Sequence, residues 1–183
     1  MIFILVLLGV IALALVLIYN VLVAARQLVN NGWSDIDVQL KRRADLIPRI
    51  VDTVKGYAKH ERGLFEDITE KRNLAMAAGD NAAERGKAEG ALKAPMSRLF
   101  AVAEDYPDLR ANENFLDLQD ELSDTENKIE MARRFYNGAV RQMNTKVQSF
   151  PINIVAAAFG FRERDYFELD PSDGALPDLN FGD

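Results

Sequence analysis

From Ile2 to Ile18 every residue is apolar or glycine. Tyr19 and Asn20 interrupt the run, and Val21 to Ala25 resume it before Arg26. These 24 residues form a helix of roughly 36 Å at about 1.5 Å per residue. A bilayer's hydrocarbon core needs about 20 such residues, so the run is long enough to cross with some tilt. In lipid only a helix satisfies its own backbone groups, so location dictates conformation. Residues 1–26 are therefore expected to be a transmembrane anchor. Val23-Ala24-Ala25 resembles a signal-peptide cleavage site. However, no Lys or Arg precedes the run, and the run is about twice the length of a signal peptide's apolar core. A retained anchor is the better reading.

Charge placement suggests an orientation. Arg26, Lys41, Arg42 and Arg43 all follow the run. Lys and Arg favour the cytoplasmic side. The expectation is a single-pass protein with its N-terminus outside and its soluble part in the cytoplasm.

With no cysteine, the chain has no disulfides, thiolate metal sites or cysteine nucleophiles. His60 is the sole histidine, which rules out any histidine pair within one chain. The net charge is −6, yet residues 162–183 hold two arginines and seven carboxylates, a net of −5. That stretch reads as a mostly disordered acidic tail. No basic surface for nucleic acid emerges.

Residues 27–161 carry helical periodicity and no strand alternation. Trp33, Ile36, Leu40, Ala44, Ile47, Val51, Val54, Ala58, Phe65, Ile68 and Ala75 recur at threes and fours or sums of them. Pro48 or Gly63 is expected to divide this seam. Gly79-Asp80-Asn81 marks a turn and a cap for an Ala-rich helix running to about Asp105, weakened by Pro95 and stopped at Tyr106-Pro107. Phe115, Leu118, Leu122, Thr125, Ile129, Ala132, Tyr136, Ala139, Met143, Val147 and Phe150 form the strongest seam. The expected fold is all-α: the anchor, then an antiparallel bundle of three or four long helices. Residues 150–161 end it with an apolar segment too short to span a bilayer.

Candidate sites are few. His60-Glu61 lacks a second histidine at position 64, where Leu stands, so no zinc helix forms. No cofactor, metal or catalytic group is expected. Lys41, Arg42 and Arg43 lie beyond a Debye length of about 8 Å from the membrane if the helix is rigid. Pairing with carboxylates on neighbouring helices suits them better than lipid headgroups. Tyr19 fits the headgroup level, and Asn20 is placed either to bond across to a second anchor or simply to mark the boundary. Ile152, Ile154, Val155, Phe159 and Phe161 are expected to contact membrane or another subunit, since a small domain does not leave such a patch in water. Asp45, Glu126, Arg133 and Asn137, with Asn114 and Asn144, read as structural polar positions.

The chain resembles the LemA family of bacterial membrane proteins up to about Phe167. The likeness rests on Tyr19-Asn20, Trp33, Ile36, Asp37, the run Leu40-Lys41-Arg42-Arg43-Ala44-Asp45-Leu46-Ile47-Pro48, Val54-Lys55-Gly56-Tyr57 and His60-Glu61. It continues through Tyr106-Pro107, Asn114-Phe115, Leu118, Glu126, Ile129, Arg133, Tyr136-Asn137 and Phe150-Pro151. Arg49 stands where the family often has asparagine. The resemblance implies a transmembrane helix, a helical body, residence in the bacterial inner membrane and no established catalysis. One magnetosome-associated branch of that family is linked to membrane invagination. Two functions follow as expectations: a self-associating membrane scaffold with the lipid bilayer and its own copies as partners, or a tethered adaptor for an unidentified protein.

Overall fold

The computed structural model describes residues 1–169, and among these the only regular elements are helices. They are α1 (Ile2–Lys55), α2 (Arg62–Ala77), α3 (Ala82–Gly90), α4 (Lys93–Glu104), α5 (Pro107–Arg110), α6 (Glu113–Gln148) and α7 (Ile152–Ala158). The last part of the expected acidic tail, 170–183, lies outside the described residues.

The expected break at Pro48 or Gly63 falls elsewhere. α1 runs 54 residues without interruption, Pro48 included. Proline lacks the amide hydrogen that would bond the carbonyl four residues back, which is that of Ala44. Arg72 Nε from α2 donates to this carbonyl at 2.5 Å, so the helix continues with its orphan acceptor satisfied. The real break is the turn from Gly56 to Glu61, which carries the exposed His60. Gly63 sits inside the first turn of α2.

The Ala-rich helix is also divided. Asn81 caps α3 by accepting from the Glu84 amide at 2.9 Å. The chain then breaks at Ala91–Leu92. Pro95 falls in the first turn of α4, where its missing donor costs nothing. Pro107 opens α5 in the same way. Asn112 caps α6 through the Phe115 amide at 3.0 Å.

The chain divides into two compact units, residues 1–37 with 130–166, and residues 38–129 with the chain from Phe167. In the first, Leu22, Ala25, Val29 and Ile36 of α1 are buried, as are Tyr136, Ala139, Val140 and Met143 of α6. Gly32 lies close against α6: a Cβ there would lie 3.0 Å from Tyr136 Cα. The Trp33 and Tyr136 rings stand 5.7 Å apart.

In the second unit, α1, α2, α4, α5 and α6 share a core that includes Ile47, Ile50, Ile68, Leu99, Leu109 and Leu122. Residue numbers rise on α6 as they fall on α1: Asn112 bonds Tyr57, Glu121 approaches Arg49 and Glu126 pairs with Arg43. Phe167 is fully buried. A Cβ at Gly86 or Gly90 would strike the backbone of Glu168 or Leu169, so these two glycines of α3 admit the chain at van der Waals distance.

The α6 seam departs from expectation at its end. Leu122, Ile129 and Met143 are buried, but Val147 is only half-buried and Phe150 is 80% exposed. A straight helix drifts by about 20° per heptad against a strict seven-residue pattern. The buried stripe accordingly moves to Val140 and Asn144, and α6 stops before Phe150.

Candidate membrane-facing site

Every residue from Ile2 to Leu17 is exposed around the whole circumference of α1. Among the described residues this is the one helix long and apolar enough to cross a membrane. Cover begins at Ile18, which is half-buried, and is complete at Leu22.

The covering elements are the end of α6, α7 and the turn after it. α7 ends through Gly160, whose φ of +71° only glycine adopts without strain. The Phe161 amide donates to the Ala156 carbonyl at 2.9 Å, and the Gly160 amide to that of Ala157 at 3.4 Å. This double closure turns Phe161 inward, where it and Ala156 are buried. The Tyr19 ring meets Phe159 and Phe161 edge-on at 5.1 and 5.7 Å. The Arg26 guanidinium lies 5.0 Å above the Phe161 ring.

The apolar segment therefore has two sides. Val155, Ala156 and Phe161 are buried, and Ile152 is half-buried. Ile154 and Phe159 remain 62% and 59% exposed. Asn20 and Asn153 are exposed.

Beyond Phe161 the chain is held through its backbone. Asn144 Nδ2 donates to the Arg164 carbonyl at 2.9 Å, and the Arg164 amide donates to Asn144 Oδ1 at 2.8 Å. The Tyr136 hydroxyl donates to the Asp165 carbonyl at 2.9 Å. Burial pushes the Tyr136 phenol above its ordinary pKa, and Asp165 adds to this while Arg164 opposes it. Asn144 thus fixes the first residues of what the sequence presents as free tail.

The second polar group is built on α1, α3 and α6. Arg43 is 7% exposed and pairs with Glu89, itself 3% exposed. Arg43 also reaches Glu126 at 3.0 Å, and Arg85 holds the other Glu89 oxygen at 2.9 Å. Burial disfavours the Arg43 charge, but the two carboxylates outweigh that and raise its pKa. Arg42 pairs with Glu121 at 3.0 Å on the surface, where such a bond contributes about 0–1 kcal/mol. Lys41 and Asp45 are exposed, with no ion pair among the described residues. Arg133 and Asn137 are half-buried, and neither is free of interactions. No group of three or more metal-ligating side chains occurs among the described residues.

The LemA family model matches residues 32–181. The chain belongs to the LemA family. It is 25% identical to magnetosome protein MamQ 2 of Paramagnetospirillum magneticum, over 84% of this chain and 66% of that protein. It is 26% identical to protein LemA of Metamycoplasma hominis, over 75% of this chain and 63% of that protein. The chain spans just under two thirds of the length of these relatives.

For this LemA-family member, sequence reasoning found the pairing of Arg42 and Arg43 but missed Arg85, Glu89, Gly86 and Gly90. The Gly-x-x-x-Gly spacing was a usable signal for close backbone approach. Glu89, lying between those glycines, gives no sign of burial until Arg43 and Arg85 are brought beside it.

Proposed function

We propose that this LemA-family chain is a single-pass membrane scaffold. In this reading α1 crosses the bilayer with its N-terminus outside, an antiparallel helical bundle stands on the cytoplasmic side, and copies of that body associate to organise membrane without catalysis. The observation that carries the reading is the continuity of α1. The apolar run and the first core helix are one element, with no loop between them. An anchor that passes directly into the folded part suits a protein that acts on its membrane. The family and its MamQ relatives are in keeping with a membrane-associated role. Met131 and Phe135, one turn apart on α6 and 61% and 47% exposed, offer apolar surface for self-association.

Sizing the full-length protein in mild detergent by light scattering tests the proposal. A discrete homo-oligomer is expected. A monomer at every concentration overturns self-association and favours the adaptor reading. A shallow groove lined by Val38, Arg42, Leu46, Arg49 and Glu121 is a place for an adaptor's partner.

A further inference from the structure

We infer that α7 and its flanks form an interfacial foot: Phe150, Ile154 and Phe159 insert at the headgroup–acyl boundary of the bilayer that α1 crosses. The inference rests on the reading of α1 as a membrane anchor. Its first support is continuity of surface. The Phe159 ring lies against Tyr19, next to the wholly exposed run that ends at Leu17. No charge interrupts α1 until Arg26, whose guanidinium lies over the Phe161 ring.

The second support is length. The bare run Ile2–Leu17 measures roughly 24 Å, against a hydrocarbon core of about 30 Å. The apolar run of α1 matches that thickness only when the turn around Tyr19–Leu22 is counted, and this is the turn that Phe159 covers. α6 delivers Phe150 to the same height. Tyr136 stands beside Gly32, and Gln148 lies roughly 18 Å further along α6, the same span as from Gly32 back to Asn20.

The third support is the outward face of α7. On a helix in water that face is polar. Here Val155 and Ala156 turn inward, while Ile154, Ala157, Ala158 and Phe159 all face out, with Asn153 as the one polar side chain among them. Such a face fits lipid. The bilayer boundary is the apolar medium already adjacent to it, so no further partner is required.

The cysteine-free chain makes the test direct. Single variants Phe159→Cys, Ile154→Cys, Val10→Cys and, at an exposed carboxylate of α6, Asp120→Cys carry a nitroxide label in the full-length protein, reconstituted in phosphatidylcholine–phosphatidylglycerol vesicles. Collision with dissolved oxygen and with a water-soluble nickel complex reports depth. The oxygen-to-nickel ratio at positions 154 and 159 should exceed that at 120 several-fold and fall below that at 10. Water-like values at 154 and 159 with a deep value at 10 overturn the foot and leave the anchor standing. A water-like value at 10 overturns the anchor itself. Spin–spin broadening at 154 and 159, absent after dilution with unlabelled protein, assigns the patch to a second copy and also overturns the inference.

Discussion

The two halves of α1 obey different rules with the same backbone. From Ile2 to Leu17 every side chain is exposed and nearly all are aliphatic. From Leu22 to Leu40 the buried positions keep to steps of three and four, at Leu22, Ala25, Val29, Gly32, Ile36 and Leu40, and from Arg43 to Val54 the buried stripe widens to adjacent pairs such as Leu46 with Ile47 and Ile50 with Val51. In lipid all faces of a helix meet one apolar solvent, so composition carries the information and phase carries none. In water one face must turn to a core, so phase is decisive. The first half is legible by counting, the second by spacing.

Charge should break the comparison hardest. Arg43 is buried in the patterned half because Glu89 and Glu126 meet it. Arg43→Ala leaves Glu89 buried with only Arg85, and should cost about 3–5 kcal/mol in a denaturant melt. Adding Glu89→Gln should restore part of that loss, and strict additivity of the two variants would show that the pair is not coupled. Next come matched leucines. Leu40→Ala should cost about 2–5 kcal/mol through lost burial and a cavity, whereas Leu8→Ala should leave the melting of the helical body unchanged. Equal effects would mean that both halves sit in the same medium. An arginine in the bare half has no carboxylate to meet it. Val10→Arg should lower membrane insertion by about 2.5–3.5 kcal/mol, read as the fraction of protein that resists alkaline extraction, again without altering the body's melt.

These contrasts explain what the sequence made visible. The anchor and the α1 and α6 stripes follow from runs and periods within single helices. What was hidden depended on groups from elsewhere in the chain. Pro48 signals a break, and only Arg72, arriving from α2, removes it. The tail composition from Arg162 onward argues against order, yet Asn144 and Tyr136 hold its backbone and Phe167 is fully buried. The apolar stretch 152–161 showed that it avoids water but gave no division into two sides. That division comes from Gly160, whose left-handed turn sends Phe161 inward while Phe159 stays out. Lys41-Arg42-Arg43 looked like one cluster, but helical geometry sends adjacent residues to different faces. Arg43 enters the core, Arg42 reaches the surface carboxylate Glu121, and Lys41 stays in water.

The smallest expected effects belong to three helical glycines, which sharpen the comparison because alanine adds the same methyl to each. At Gly32 that methyl would stand 3.0 Å from Tyr136 Cα and 3.1 Å from the Phe135 ring. A backbone atom of a facing helix does not swing aside. Overpacking of about 1–3 kcal/mol then outweighs the roughly 1 kcal/mol gained in helix propensity. Gly32→Ala should lower stability measurably. At Gly138 nothing lies within 4 Å of the added atom. Gly138→Ala should therefore stabilise by about 0.5–1 kcal/mol, since only the unfolded chain's freedom is lost. Gly9 also has open space around it, but in the bare half. Gly9→Ala should leave the body's melt unmoved, because the anchor helix forms in lipid whether or not the body is folded. Thermal melts of the three variants in one detergent check the order. If Gly32→Ala stabilised as much as Gly138→Ala, the close contact of α1 with α6 at Tyr136 would be refuted.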